Sequence, residues 1–354
     1  MTPLKDLIIK RIDATGPISI ADYMAECLMH PVHGYYQQER VFGVDGDFIT
    51  APEVSQMFGE VLGLWCVDRW IAMGKPPSFQ LIELGPGRGT LMADILRAAS
   101  SVEGFRSAAQ VHFVEASLQL RAVQKAKIAD AGWHDTLGQI PLAPSIIVAN
   151  EFFDALPIHQ FEKQNGEWFE RAIASDGEKL SPALIPASPI AAMLPDTMQT
   201  QPDGSVAEIC PAALSVMGEI AHRTSTQPCA ALVLDYGYIK SAPGDTFQAL
   251  KAHKYVDPLA EPGKADLTAH VAFDQLAQAA TEKGAAAFGP VEQGAFLMSI
   301  GIGARAQQLA TNQDAAKQSG ILSELKRLTA PEEMGQLFKV LALQSPELKA
   351  PPGF

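Results

Sequence analysis

Three glycines at alternate positions constrain this chain more than any other feature. Residues 79–90 read Phe-Gln-Leu-Ile-Glu-Leu-Gly-Pro-Gly-Arg-Gly-Thr, and Gly85, Gly87 and Gly89 separate an apolar run from the helix-like stretch 91–97. Six apolar-rich residues, Phe79 to Leu84, suit a buried parallel strand, and the glycines then predict a tight turn into a helix N-terminus. Glycine has no Cβ, so backbone N–H groups at such a turn can approach a ligand closely. Strand, turn and helix together predict a nucleotide-type site in an open α/β sheet.

The spacing discriminates between ligands. A dinucleotide turn usually reads Gly-x-Gly-x-x-Gly and cradles a pyrophosphate. Here the spacing is Gly-x-Gly-x-Gly, and Glu83 stands two residues before the first glycine, where it would repel phosphate. S-adenosylmethionine carries a sulfonium, an ammonium and one carboxylate but no phosphate, so an acid beside open N–H groups suits both of its signs. The pattern therefore favours S-adenosylmethionine over NAD, with Glu83, Gly85, Pro86, Gly87, Gly89 and Thr90 as its contacts. A second apolar run, 111–114, ends in Glu115, placed to accept hydrogen bonds from ribose hydroxyls. A third, Ser145 to Asn150, leads into Asn150-Glu-Phe-Phe-Asp-Ala-Leu-Pro157. Ligands bind beyond the carboxyl ends of such strands, so Asn150 is expected at the cofactor and Glu151, Phe152 and Asp154 near the transferable methyl group. A fourth run, 230–234, ends in Asp235 and Tyr236, expected on the same edge as substrate contacts.

The remaining segments frame this core. Residues 1–76 read as a helical extension carrying a glycine-rich, acidic stretch, 43–53, expected to fold over the pocket and to offer Asp47 and Thr50 to a substrate. Residues 77–300 form the expected catalytic domain, with an insertion at about 158–228 that opens on a β-hairpin turning at Asn165-Gly166. Short strands are expected around 286–288 and 291–296. Residues 301–354 are expected to be helical, with Thr329 and Glu332 as a capping box before a helix over 334–343.

Composition excludes several classes. A formal charge of −13 leaves no basic face spare for nucleic acid, and no run of eighteen apolar residues offers a membrane span. Four scattered cysteines, without a Cys-x-x-Cys pair, indicate neither a zinc site nor a disulfide framework, as in a reducing compartment. The expectation is a cytoplasmic protein if bacterial, or a mitochondrial matrix protein if eukaryotic.

Five stretches, 46–59, 83–90, 150–157, 234–238 and 265–271, together resemble the MidA family of S-adenosylmethionine-dependent methyltransferases, over about residues 23–305. The resemblance implies a class I methyltransferase fold with a Rossmann-like, seven-stranded sheet, S-adenosylmethionine as cofactor, and symmetric dimethylation of an arginine on a respiratory complex I subunit during assembly. A guanidinium is protonated below a pH of about 12, so its nitrogen becomes nucleophilic only when carboxylates orient it and localise its charge. Glu151 and Asp154 are the expected catalytic pair. Two alternatives share the fold: a non-catalytic assembly chaperone that binds S-adenosylmethionine, and a small-molecule methyltransferase.

Overall fold

A computed structural model describes residues 2–37 and 50–354 and divides the chain into two compact units. One comprises Ile49–Phe152, Val216–Ile239 and Phe273–Phe354; the other Met1–Phe48, Phe153–Ser215 and Lys240–Ala272.

The first unit is built on a sheet that has eight strands among the described residues rather than the expected seven; seven of them lie in one path: β1 (Phe79–Leu84), β2 (Ala109–Val114), β3 (Gly132–His134), β4 (Ser145–Asn150), β5 (Cys229–Tyr238), β6 (Ala286–Glu292) and β7 (Phe338–Gln344). They run in one path in the order β6-β7-β5-β4-β1-β2-β3. β1 to β5 pair in parallel, and β7 is antiparallel to both of its neighbours. Every residue of β1, β4 and β7 is buried, as strands covered on both faces require. β1 leads first to one side of itself and later to the other, so the crevice at its carboxyl end is a topological switch point, where open α/β sheets bind ligands.

One face of this sheet, including Leu81, Val111, Val148, Leu232 and Val340, packs against helices α1 (Gln56–Ala72) and α2 (Thr90–Ala99). Gly59 and Gly63, one turn apart on α1, make this close: a Cβ at Gly59 would lie 2.5 Å from Asp94 Cβ, and one at Gly63 would lie 2.8 Å from the Ile95 carbonyl. Helix α3 (Leu118–Lys127) follows β2 and is capped by the Ser117 hydroxyl.

The C-terminal part departs from the sequence-based expectation. Helices Ile302–Ala310 and Ala315–Thr329 are present, but 338–344 is a fully buried strand rather than helix. Its run Phe-Lys-Val-Leu-Ala-Leu-Gln has no clear period, and a short apolar run of this kind is equally compatible with a buried strand. The expected pair of short strands at 286–296 is one strand, β6, followed by the helix Gln293–Ser299. Ser55, with extended backbone, separates the short helix Ala51–Val54 from α1 and caps α1, its hydroxyl accepting from the Met57 N–H.

The second unit has its own core. Helices Pro3–Thr15 and Ile20–Met29 bury Leu4, Ile8, Ile12, Tyr23, Met24 and Leu28 with Ile158, Ile173 and Leu267. Ser19 caps the second helix, its hydroxyl accepting from the Asp22 N–H at 3.0 Å. The hairpin His159–Gln164 and Glu167–Ser175 turns at Asn165 and Gly166, both at positive φ (51° and 81°), the conformation a two-residue turn of this type needs. Strand Leu180–Pro186 pairs antiparallel along Glu167–Ser175 and extends the hairpin's sheet. No helix among the described residues is long and apolar enough to cross a membrane.

Candidate functional site

Register places the expected acids. Glu83 pairs with Phe113 on β2 and with Val148 on β4, and residues two apart on a strand share a face. Glu83, Glu115 and Asn150 therefore project on the same side of the sheet, at or just beyond the carboxyl edge. Asp235 follows Leu234, the partner of Asn150, and so takes the opposite side. It is completely buried, its carboxylate accepting from the backbone N–H groups of Phe152 (3.1 Å) and Tyr236 (2.9 Å). Asp235 thus ties the end of β5 to the exit of β4. Tyr236 is buried and packs edge-on against Phe338, their ring centroids 5.5 Å apart.

The glycine turn forms as its composition requires. Gly85, Gly87 and Gly89 all have positive φ (63°, 50° and 73°), which costs little only without a Cβ. Gly89, at the N-cap of α2, has no side chain to satisfy the helix's first N–H groups, and one of them, that of Met92, is near enough to Glu83 on β1 to favour its charged form. Buried at 3% exposure, Glu83 has its pKa pushed up to about 8 by desolvation, against the Met92 hydrogen bond and the Lys127 charge, which lower it, and the Glu115 charge, which raises it. Thr90 is held from both sides, donating to Glu53 Oε1 and accepting from Lys127 Nζ, each at 2.7 Å. Pro86, buried, accepts through its carbonyl from the Gly89 N–H at 2.7 Å and closes the turn.

Glu115 is half-buried, with Oε1 accepting from the Ser117 N–H (2.8 Å) and Oε2 from Gln124 Nε2 (3.1 Å). Burial raises its pKa; those two hydrogen bonds and the Arg121 charge act in the opposite direction. Each carboxylate oxygen has a second lone pair, so the group can still accept from hydroxyls.

At the exit of β4, Glu151 adopts a left-handed backbone conformation, φ 52°, that is unfavourable for a residue with a Cβ. Its Oε1 accepts from Asn150 Nδ2 and from the backbone N–H of Ala51, both at 3.0 Å. Thr50, at the N-cap of the short helix Ala51–Val54, makes no side-chain capping bond, and Glu151 supplies the acceptor instead. Phe152 lies over the glycine turn: a Cβ on Gly85 would stand 2.9 Å from its ring. Glu151, Phe152, Asn150 and the glycine turn are thus parts of one edge.

Asp154 belongs to the other unit, where it is buried, its carbonyl accepting from the Ala269 N–H at 3.0 Å. It neighbours Tyr36, whose hydroxyl donates to Asp266 at 3.3 Å and whose pKa is raised by burial and by the Asp266 and Asp154 charges. Asp47 lies outside the described residues.

Sequence reasoning missed Glu53, Lys127 and Gln124, which hold the turn from behind. Glu53 lay within a stretch read as pocket-covering, while Lys127 and Gln124 were hidden in a helix with no motif.

The geometry fits S-adenosylmethionine. Two buried acceptors, Glu83 Oε2 and Asn150 Oδ1, have no hydrogen-bond partner among the described residues, and they come from adjacent strands on one face. A ligand ammonium would satisfy acceptors of this kind, whereas a pyrophosphate would not. The glycine turn offers a helix N-terminus to a carboxylate, and Glu115 offers acceptors to a ribose.

Comparison with known proteins agrees. Residues 61–291 match a family described as S-adenosyl-L-methionine-dependent methyltransferases. The chain is 37% identical, over 97% of its own length and 84% of the relative's, to the protein arginine methyltransferase NDUFAF7, mitochondrial, of Mus musculus. It is 39% identical to the homologue of that protein in Drosophila melanogaster, over 94% and 83% of the two chains. A protein of Burkholderia thailandensis crystallised with S-adenosyl-homocysteine superposes with a TM-score of 0.84, covering 99% of this chain and 93% of that one at 26% identity. The chain therefore belongs to the S-adenosyl-L-methionine-dependent methyltransferase family, and S-adenosyl-L-methionine is its cofactor.

Proposed function

We propose that this methyltransferase acts on an arginine side chain of a protein, and that Glu151 is the residue that makes the guanidinium reactive. The observation that carries this is the strained Glu151 backbone at the exit of β4, with its carboxylate fixed by Asn150 and Ala51. Strain of this kind costs about 1–3 kcal/mol and persists only where the surroundings enforce it. The names of the curated relatives support the choice of arginine.

When bound, S-adenosylmethionine supplies an electrophilic methyl group on a sulfonium. The Glu151 carboxylate accepts N–H hydrogen bonds from the guanidinium and draws its positive charge toward the far nitrogens, leaving the near one able to attack. The proton that the methylated guanidinium must shed passes to the same carboxylate. Phe152 shields the edge from water, and alignment of the attacking nitrogen accounts for most of the acceleration. This mechanism is built on Glu151 alone.

The family resemblance extends the proposal to symmetric dimethylation of a respiratory complex I subunit. Mass spectrometry of complex I subunits from cells with and without the gene tests it. Symmetric dimethylarginine present only when the gene is present is the expected result, and an unchanged methylation pattern contradicts it.

A further inference from the structure

Helix α3 buries one residue, and that residue is polar: Gln124, with no exposed surface. Its amide makes three hydrogen bonds, using both N–H groups and the carbonyl oxygen. Nε2 donates to the Gly87 carbonyl at 2.8 Å and to Glu115 Oε2 at 3.1 Å, and Oε1 accepts from the Trp133 indole N–H at 2.8 Å. An indole N–H can only donate, and a carbonyl oxygen can only accept, so the partners fix the amide orientation without ambiguity. Turned the other way, it would set N–H against N–H at Trp133 and oxygen against oxygen at both Gly87 and Glu115. The aliphatic part of the side chain lies against Gly89, where an added Cβ would make ordinary contact with Gln124 Cγ at 3.5 Å.

We infer that Gln124 is a positioning residue for the cofactor: from behind the site it clamps the glycine turn after β1 to the ribose-facing carboxylate after β2. The clamp sets the separation between the two halves of the cofactor site, and Trp133 on β3 holds the clamp in its productive orientation. An apolar residue here would pack as well against Gly89, so the amide answers to the site rather than to the core. The same hydrogen bond keeps Oε2 of Glu115 directed and leaves its second lone pair for a hydroxyl. Gln124 exposes no surface of its own, and its influence runs through Gly87 and Glu115. The inference rests on the assignment of Glu115 to the ribose.

The experiment uses the whole chain and measures calorimetric affinity for S-adenosylhomocysteine and for its 2′-deoxy counterpart. The proteins compared are wild type, Glu115→Ala, Gln124→Met and the double variant. Melting temperature is recorded for each. Gln124→Met nearly conserves volume but removes all three hydrogen bonds. The expected result is a ten- to hundredfold loss of affinity for S-adenosylhomocysteine, since each buried hydrogen bond is worth a few-fold to about tenfold. The preference of wild type for the 2′-hydroxyl should collapse in Gln124→Met as it does in Glu115→Ala, and the double variant should be no weaker than about the poorer single one. Should Gln124→Met fail to fold, Trp133→Phe removes only the bond that orients the amide, and it should show the same loss of 2′-hydroxyl preference with a smaller loss of affinity.

If Glu115→Ala loses the preference while Gln124→Met and Trp133→Phe retain it, the positioning role is overturned and the ribose assignment stands. If Glu115→Ala retains the preference, the ribose assignment fails and the inference fails with it. A purely structural Gln124 would lower the melting temperature and affect both ligands equally, which also overturns the inference.

Discussion

The Glu151 carboxylate accepts from the backbone N–H of Ala51, one hundred residues earlier in the chain, at 3.0 Å. A single oxygen thereby caps the helix Ala51–Val54 and receives the Asn150 amide, which fixes where the carboxylate can point. Glutamine at 151 can keep an oxygen for Ala51 but not the negative charge. Glu151→Gln should lower methyl transfer about a hundredfold or more while S-adenosylhomocysteine affinity stays within about threefold, a split that kinetics and calorimetry together resolve.

The backbone at this position makes a separate prediction. A residue with a Cβ in the left-handed region costs roughly 1–2 kcal/mol relative to glycine. Glu151→Gly should therefore unfold at higher denaturant than Glu151→Ala by about 1 kcal/mol, although both lose transfer. Equal stability of the two variants would mean that φ at 151 relaxes in solution.

Glu83 couples cofactor binding to pH. Burial raises its pKa from 4.5 to about 8, against the Met92 hydrogen bond and Lys127 charge. Below about 4.5 both folded and unfolded chains hold the proton. Between 4.5 and 8 only the folded chain holds it, so this group's contribution to stability falls as pH rises through that window. Glu83→Gln keeps an acceptor for Met92 without the titration, and it should make the free protein more stable than wild type at pH 8–9 by about 1–3 kcal/mol. A ligand ammonium beside Glu83 favours its charged form, so cofactor binding near pH 7 should release about one proton, seen as a binding heat that varies with the ionisation enthalpy of the buffer. Glu83→Gln should release none and bind more weakly.

Gly59 and Gly63 let α1 lie directly on the cofactor helix α2. Added Cβ atoms would meet Asp94 Cβ at 2.5 Å and the Ile95 carbonyl at 2.8 Å, and the backbone carbonyl cannot step aside without moving the helix. Despite alanine's better helix propensity, Gly63→Ala should cost about 1–3 kcal/mol in denaturant unfolding. It should also weaken S-adenosylhomocysteine binding, because α2 carries the N-terminus that follows the glycine turn.

The parts of this molecule legible in its sequence are those whose physics is local. The strands Phe79–Leu84 and Ser145–Asn150 could be read to the residue because continuous apolar runs end at glycine or at polar groups, and the hairpin was legible because Asn165-Gly166 admits few other turns. Strand Phe338–Gln344 was not, since its pairing partners lie about fifty and one hundred residues away and its composition suits a helix equally well. In the site, the acids at strand ends followed from the rule for open sheets. Gln124 did not, because a glutamine on a helix carries no signal until Gly87, Glu115 and Trp133 are brought around it. Asp235 looked like an edge contact in sequence, but register turns it to the other face, where two backbone N–H groups receive it.

The most direct test of the account gives wild type and Glu151→Gln the same methyl-labelled S-adenosylmethionine and the same cell lysate, then analyses the acid hydrolysate of the protein fraction. Label in dimethylarginine with wild type, and none with Glu151→Gln despite intact cofactor binding, is the predicted result. Label recovered in lysine rather than arginine, or equal labelling by the two proteins, would contradict it.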